Sequence, residues 1–144
     1  MENYSTRDLI VETINKLFVY TDLQQWDKLQ AEVFSENVFF DMSSLGGEKK
    51  NTTARDICEI WKTGFVGIDS VNHLAGNYLI EIAGHTANAF AYATATHYRK
   101  AAANRTTRNF IGSYGIHLIN TGDGWRINQF KYNLKFLTGN IDLA

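Results

Sequence analysis

The sequence predicts an α+β domain in which three N-terminal helices cover a cone-shaped, curved antiparallel or mixed sheet and enclose a pocket. Three observations lead there. Apolar residues recur at helical spacing as far as Phe65, alternating patterning takes over from Ser70, and turn signals cut the second half into long hairpin strands. Helices gathered ahead of strands imply helices packed on one sheet face.

Ser5 is placed to cap the first helix, with Asp8 near its positive end. Leu9, Ile10, Ile14, Leu17, Phe18 and Thr21 follow as one apolar stripe. A second helix is expected over Leu23 to Phe34, burying Trp26, Leu29 and Val33, and a short strand over Val38 to Phe40. Residues Ser43 to Asn51, with Gly46 and Gly47, read as a mobile loop that could form a lid. Thr52 or Thr53 caps a third helix whose apolar face carries Ile57, Ile60, Trp61 and Phe65. Four long strands are expected, over Val71–Ile82, Thr86–Lys100, Arg105–Ile119 and Trp125–Phe136. Ala83-Gly84-His85, Ala101 to Asn104, and the Asp-Gly turn at 123–124 join them into a meander.

No linker, repeat or low-complexity segment interrupts residues 1–144, so one domain is expected. A 44% hydrophobic and 20% charged composition is that of a globular chain. The net charge of −1 provides no field for phosphate backbones or anionic membranes, so neither nucleic acid nor membrane is an expected partner. A single cysteine, Cys58, excludes an internal disulfide and suits a reducing cytoplasm. No phosphate loop, dinucleotide fingerprint, nucleophile elbow or zinc motif is present.

On the strand from Thr86, Phe90, Tyr92, Thr94, Thr96 and Tyr98 share one face, while Ala89 to Ala95 and His97 share the other. That alanine row either admits a close-packed helix or leaves room beside the imidazole. His73 shares a face with Val71, Ala75, Asn77 and Leu79; a histidine in such company is more often a hydrogen-bonded core residue than a catalyst. A carboxylate on its Nδ1–H would turn it into a general base. Asp22, at the junction of the first two helices, is either that partner or the N-cap of the second helix. Asp41 ends the short strand, His85 sits at a hairpin tip, and His117 lies toward the opposite hairpin. Phe90, Tyr92 and Tyr98 on an outer sheet face suggest a homodimer or higher homo-oligomer.

The runs Tyr20-Thr21-Asp22-Leu23-Gln24-Gln25-Trp26-Asp27-Lys28-Leu29, Asn37-Val38-Phe39-Phe40-Asp41, Asn72-His73-Leu74-Ala75-Gly76-Asn77 and Gly122-Asp123-Gly124-Trp125-Arg126-Ile127 resemble the SnoaL-like family. That family belongs to the nuclear-transport-factor-2-like superfamily, and the pattern is most similar to its scytalone dehydratase-like branch. The resemblance implies a cystatin-like α+β barrel and a cofactor-independent lyase or isomerase acting on a small hydrophobic, cyclic molecule. It implies catalytic roles for Asp22, His73 and His97, with Asp22 pairing with one of the two histidines. Tyr20, Trp26, Asp41 and Tyr114 are the expected substrate-binding residues. The chain departs from the branch at Thr21 and Met42, where tyrosines are expected, and near Ser113 or Tyr114, where an asparagine is. A polyketide cyclase or epoxide hydrolase on the same fold, or a non-catalytic binding or assembly module, are the other readings. The hydrolase would need two acids and an arginine around one water.

Overall fold

The computed structural model describes residues 3–144 of the expected 1–144 domain; residues 1 and 2 lie outside the described residues. Ser5 and Asp8 form a reciprocal capping box: Ser5 Oγ accepts from the Asp8 amide (3.1 Å), and the Asp8 carboxylate accepts from the Ser5 amide (3.0 Å). They open helix α1 (Thr6–Asp22), which buries Ile10, Ile14, Leu17, Phe18 and Thr21 along one stripe. Leu9, expected in that stripe, is exposed.

The second helix is shorter than expected. Gln24 takes a left-handed backbone (φ 55°), so the chain reverses before α2 (Trp26–Lys28), which widens at once into a π-helical turn over Leu29–Val33. Leu29 and Val33 are buried there as the spacing requires. Helix α3 (Ala54–Gly64) is capped by Thr53, whose hydroxyl accepts from the Asp56 amide (3.1 Å). It buries Ala54, Ile57 and Cys58, with Trp61 and Phe65 half-buried; Ile60, expected on that face, is exposed.

Six strands form one sheet: β1 (Phe34–Asp41), β2 (Lys49–Thr53), β3 (Ser70–Ala83), β4 (Thr86–Tyr98), β5 (Thr107–Asn120) and β6 (Trp125–Gly139). Their order is β2-β1-β6-β5-β4-β3; β1 runs parallel to β6, and every other pairing is antiparallel. The meander β3 to β6 agrees with the sequence. Strand β2 does not, because residues 43–51 are a 3₁₀ turn (Ser43–Leu45) followed by an edge strand paired to β1 rather than a loop throughout.

Register shifts bend the long strands. In β3 the pairing with β4 slips between Gly76 and Leu79, where Asn77 adopts a left-handed backbone (φ 57°). Side-chain parity reverses there. His73 and Ala75 face inward as expected, but Leu79 is exposed and Tyr78 and Ile80 pack on the core instead. Similar shifts in β5–β6 lie at Ile111/Gly112 and His117/Leu118.

The inner sheet face combines two extremes of size. Ala87, Ala89, Ala91, Ala93 and Ala95 of β4 are all buried, as are Tyr114 of β5 and Phe130 and Tyr132 of β6. These aromatic rings interlock, with Tyr114 edge-on to Phe130 at 5.5 Å and Tyr132 at 4.9 Å from Tyr114. Gly112 makes room for Tyr132: a Cβ there would lie 2.4 Å from the Asn133 carbonyl oxygen and 2.5 Å from the Tyr132 hydroxyl. Gly112→Ala should therefore destabilise the protein by about 1–3 kcal/mol in urea unfolding. Gly115→Ala, whose Cβ would meet open space, should stay within about 0.5 kcal/mol of the parent.

Candidate active site

Helix α1 ends against the edge of the sheet, at β3. Its last residue, Asp22, turns its carboxylate to His73: Oδ2 accepts from the His73 amide at 2.8 Å, and Oδ1 lies 2.5 Å from His73 Nδ1. Asp22 does not cap the second helix; Gln25 occupies that position without a side-chain bond. Both side chains of the pair are nearly buried, and Phe18 stacks on the imidazole at 5.2 Å. A carboxylate on Nδ1 orients the ring and places its proton there, leaving Nε2 as an acceptor.

His73 lines a cavity of about 140 Å³ between α1, α3 and the inner sheet face. Phe18, Thr21, Trp61, Ala95, His97 and Tyr114 are among its walls. The volume is close to the ~150 Å³ that holds a benzene-sized molecule. Met42, Leu45, Trp61, Phe65 and His97 also line a wider space of about 530 Å³, bordered by Glu48 and Lys50, so a mouth opens between α3 and the 43–48 segment.

His97 reaches the cavity from the far end of β4. Its Nδ1 lies 3.1 Å from both Nε and Nη2 of Arg108, the residue opposite it on β5. Burial, and then the Arg108 charge, push this imidazole down to about 4. Tyr114 is buried in the wall, and desolvation drives its phenol far above the ordinary range, so it stays a protonated donor.

The other expected binding residues lie elsewhere. Tyr20 donates to Glu32 Oε1 (3.4 Å) with Lys28 over its ring, because its helix position turns it off the buried stripe. Trp26 packs on Phe65 and borders a surface groove with Gln24 and Glu59. Asp41 caps the turn that follows it, accepting the Ser43 amide (3.0 Å) and hydroxyl (2.6 Å), which hold its carboxyl below the usual range. None of the three lines the cavity. Asp41, held by Ser43 away from the cavity walls, is thus not the second acid that the epoxide hydrolase reading would need.

Cys58 is buried beside the Trp26 carbonyl, its thiol pushed up to about 11 by desolvation, which suits packing rather than nucleophilic attack. His117 bonds to Asn128 (2.6 Å), and His85 is exposed at its hairpin. Among the described residues no three His, Cys, Asp or Glu side chains are grouped to hold a metal, and no helix is long and apolar enough to cross a membrane. Sequence reasoning missed Arg108, although a turn centred between Ala102 and Ala103 pairs residues whose numbers sum to 205, His97 and Arg108 among them.

The neutral state of His97 has a consequence for stability. Its folded value lies below the ordinary 6.5, so the unfolded chain takes up the proton first and stability falls with acidification. The loss should begin near pH 6.5, run down to about pH 4, and amount to about 1–2 kcal/mol after solvent screening. Urea unfolding across that range should show the slope, and His97→Gln should flatten it; Asp8 and Asp41, held low, contribute only at still lower pH.

No curated protein matches the chain. Among solved structures, the Kfla4162 protein of Kribbella flavida superposes with a TM-score of 0.90 at 21% identity, covering 96% of this chain and 95% of that one. A candidate scytalone dehydratase of Novosphingobium aromaticivorans gives 0.77 at 16% identity (92% and 85% covered). A nuclear transport factor 2-like superfamily protein of Salmonella enterica gives 0.74 at 19% (93% and 94%). Likeness at such identities concerns the fold. The family itself is given by the sequence: the SnoaL-like domain model matches residues 2–131, and the chain belongs to that family.

Proposed function

We propose that the protein is a cofactor-independent lyase or isomerase that moves a proton on a small, neutral, hydrophobic cyclic substrate. The observation that carries this reading is the double grip of Asp22 on His73, ring and amide together, at the wall of an apolar cavity. In this reading His73 Nε2 removes a proton alpha to a carbonyl, and the imidazolium is stabilised through Nδ1–H by Asp22. The electron pair moves toward the carbonyl oxygen, where Tyr114, His97 and the unpartnered Tyr132 hydroxyl are polar groups at hand.

From that enolate two outcomes balance. Return of the proton from His73 to another carbon isomerises the substrate. Alternatively the pair re-forms the carbonyl, a β-hydroxyl departs, and His73 returns its proton to that oxygen, releasing water. The candidate scytalone dehydratase among the structural neighbours adds weight to elimination. The apolar walls favour a substrate without charge, since among the described residues no unpaired cation or carboxylate lines the cavity to bind one.

The test uses 3-hydroxycyclohexanone and related single-ring β-hydroxyketones as probes. Enzyme-dependent deuterium uptake from D₂O and enone formation, followed by NMR and ultraviolet absorption, are expected. His73→Ala should reduce either rate by about 10²–10⁴-fold, and Asp22→Asn by a smaller factor. Full rates in both variants would remove the pair from the chemistry. Binding of the ring ketones with neither exchange nor elimination would favour a binding module.

A further inference from the structure

His97 and His73 face one cavity, yet they are wired in opposite senses. Arginine carries only N–H donors, and two of those on Arg108, Nε and Nη2, point at His97 Nδ1 from 3.1 Å. Nδ1 must therefore accept. In the neutral ring the single proton then sits on Nε2, the opposite assignment from His73.

The arrangement is held on every side. Arg108 Nη1 donates to the Ile141 carbonyl oxygen (2.8 Å), and the guanidinium lies 5.3 Å over the Phe110 ring. His97 is wedged between Phe110 (5.0 Å) and the edge of Phe65 (5.7 Å), so neither ring nor guanidinium can turn without losing several contacts.

We propose that Arg108 is a positioning residue that fixes His97 as a neutral Nε2–H donor, which polarises a substrate oxygen and leaves His73 to act as the base. The substrate side of this statement rests on the proton-transfer reading above; the state of His97 does not. A donor that never carries charge suits an acceptor oxygen such as a ketone, aldehyde or enone carbonyl, and it stabilises the enolate by a hydrogen bond rather than by full protonation.

The surrounding charges agree. Arg108 from β5 and His73 from β3 both disfavour a charged His97, and α3 presents Phe65, which has no charge. Asp22 at the end of α1 acts the other way, but its carboxylate is engaged by His73. Across the mouth, Glu48 is paired with Lys50 at 3.0 Å. The imidazole accordingly protonates only near pH 4.

Long-range ¹H–¹⁵N correlation NMR on the ligand-free, ¹⁵N-labelled protein tests the proposal from about pH 4 to about pH 8. The His97→Gln spectrum identifies the His97 signals. The parent protein should show a protonated Nε2 and a bare Nδ1 at His97 throughout the neutral range. In Arg108→Met the titration midpoint should rise toward 6.5, and an Nδ1–H population should appear. An Nδ1–H ring, or an imidazolium near neutrality, in the parent protein overturns the assignment even if Arg108→Met fails to fold. A folded Arg108→Met with unchanged His97 overturns the role of Arg108. Because no ligand is needed, a locked His97 in a protein that exchanges no ketone protons would sink the proton-transfer reading alone.

Discussion

The cavity depends on one carboxylate that binds two donors of the same residue. Strand β3 pairs with β4 on one side only, so half its amides point away from the sheet. Asp22 takes the His73 amide, satisfying an edge group, and takes His73 Nδ1 with its other oxygen. The helix is thereby fastened to the sheet and the imidazole is oriented in the same act. Losing the carboxylate would leave two nearly buried donors unmet, at a cost of about 1–3 kcal/mol each. Folding and the ring's orientation therefore share a single interaction, which constrains how Asp22 can vary.

Space and polarity are set by different strands. The alanines of β4 hold back side-chain volume under the helices, while Tyr114, Phe130 and Tyr132 fill the neighbouring floor. What remains is an apolar chamber whose two imidazoles come from strand ends, His73 from β3 and His97 from β4 backed by Arg108 of β5, with the Tyr114 and Tyr132 phenols on its floor. In such surroundings a hydrogen bond is electrostatically stronger than in water, and an unmatched one costs more.

Much of this was legible in residue patterns. The capping box, the helical stripe, the meander and the alanine face all follow from local chemistry acting on near neighbours. Strand β2 was hidden because Lys49-Lys50-Asn51-Thr52-Thr53 is polar throughout, as suits an outer strand that must not recruit another chain. Leu79 was placed on the wrong face because one residue of slippage at Asn77 reverses parity; asparagine after glycine tolerates a left-handed backbone, but strict alternation was carried through it. Trp26 and Asp41 were expected at the site from the family resemblance, whereas a reversal at Gln24 and a turn at Ser43 send them elsewhere. Arg108 was missed for the converse reason: its importance lies across a strand pair, in register rather than in sequence.

The strand order has a consequence for biosynthesis. Strand β6, made after the other five, lies between β1 and β5 and, among the described residues, joins the early β1–β2 hairpin to the meander. As the chain leaves the ribosome, β1 waits for its parallel neighbour until β2 to β5 have been made, a pairing of high contact order. Until then Phe40 and Trp61 lack the Phe130 ring they pack against. The nascent protein therefore exposes apolar surface until β6 is made, and the chamber closes only as translation reaches that strand, the interval in which a chaperone would matter most.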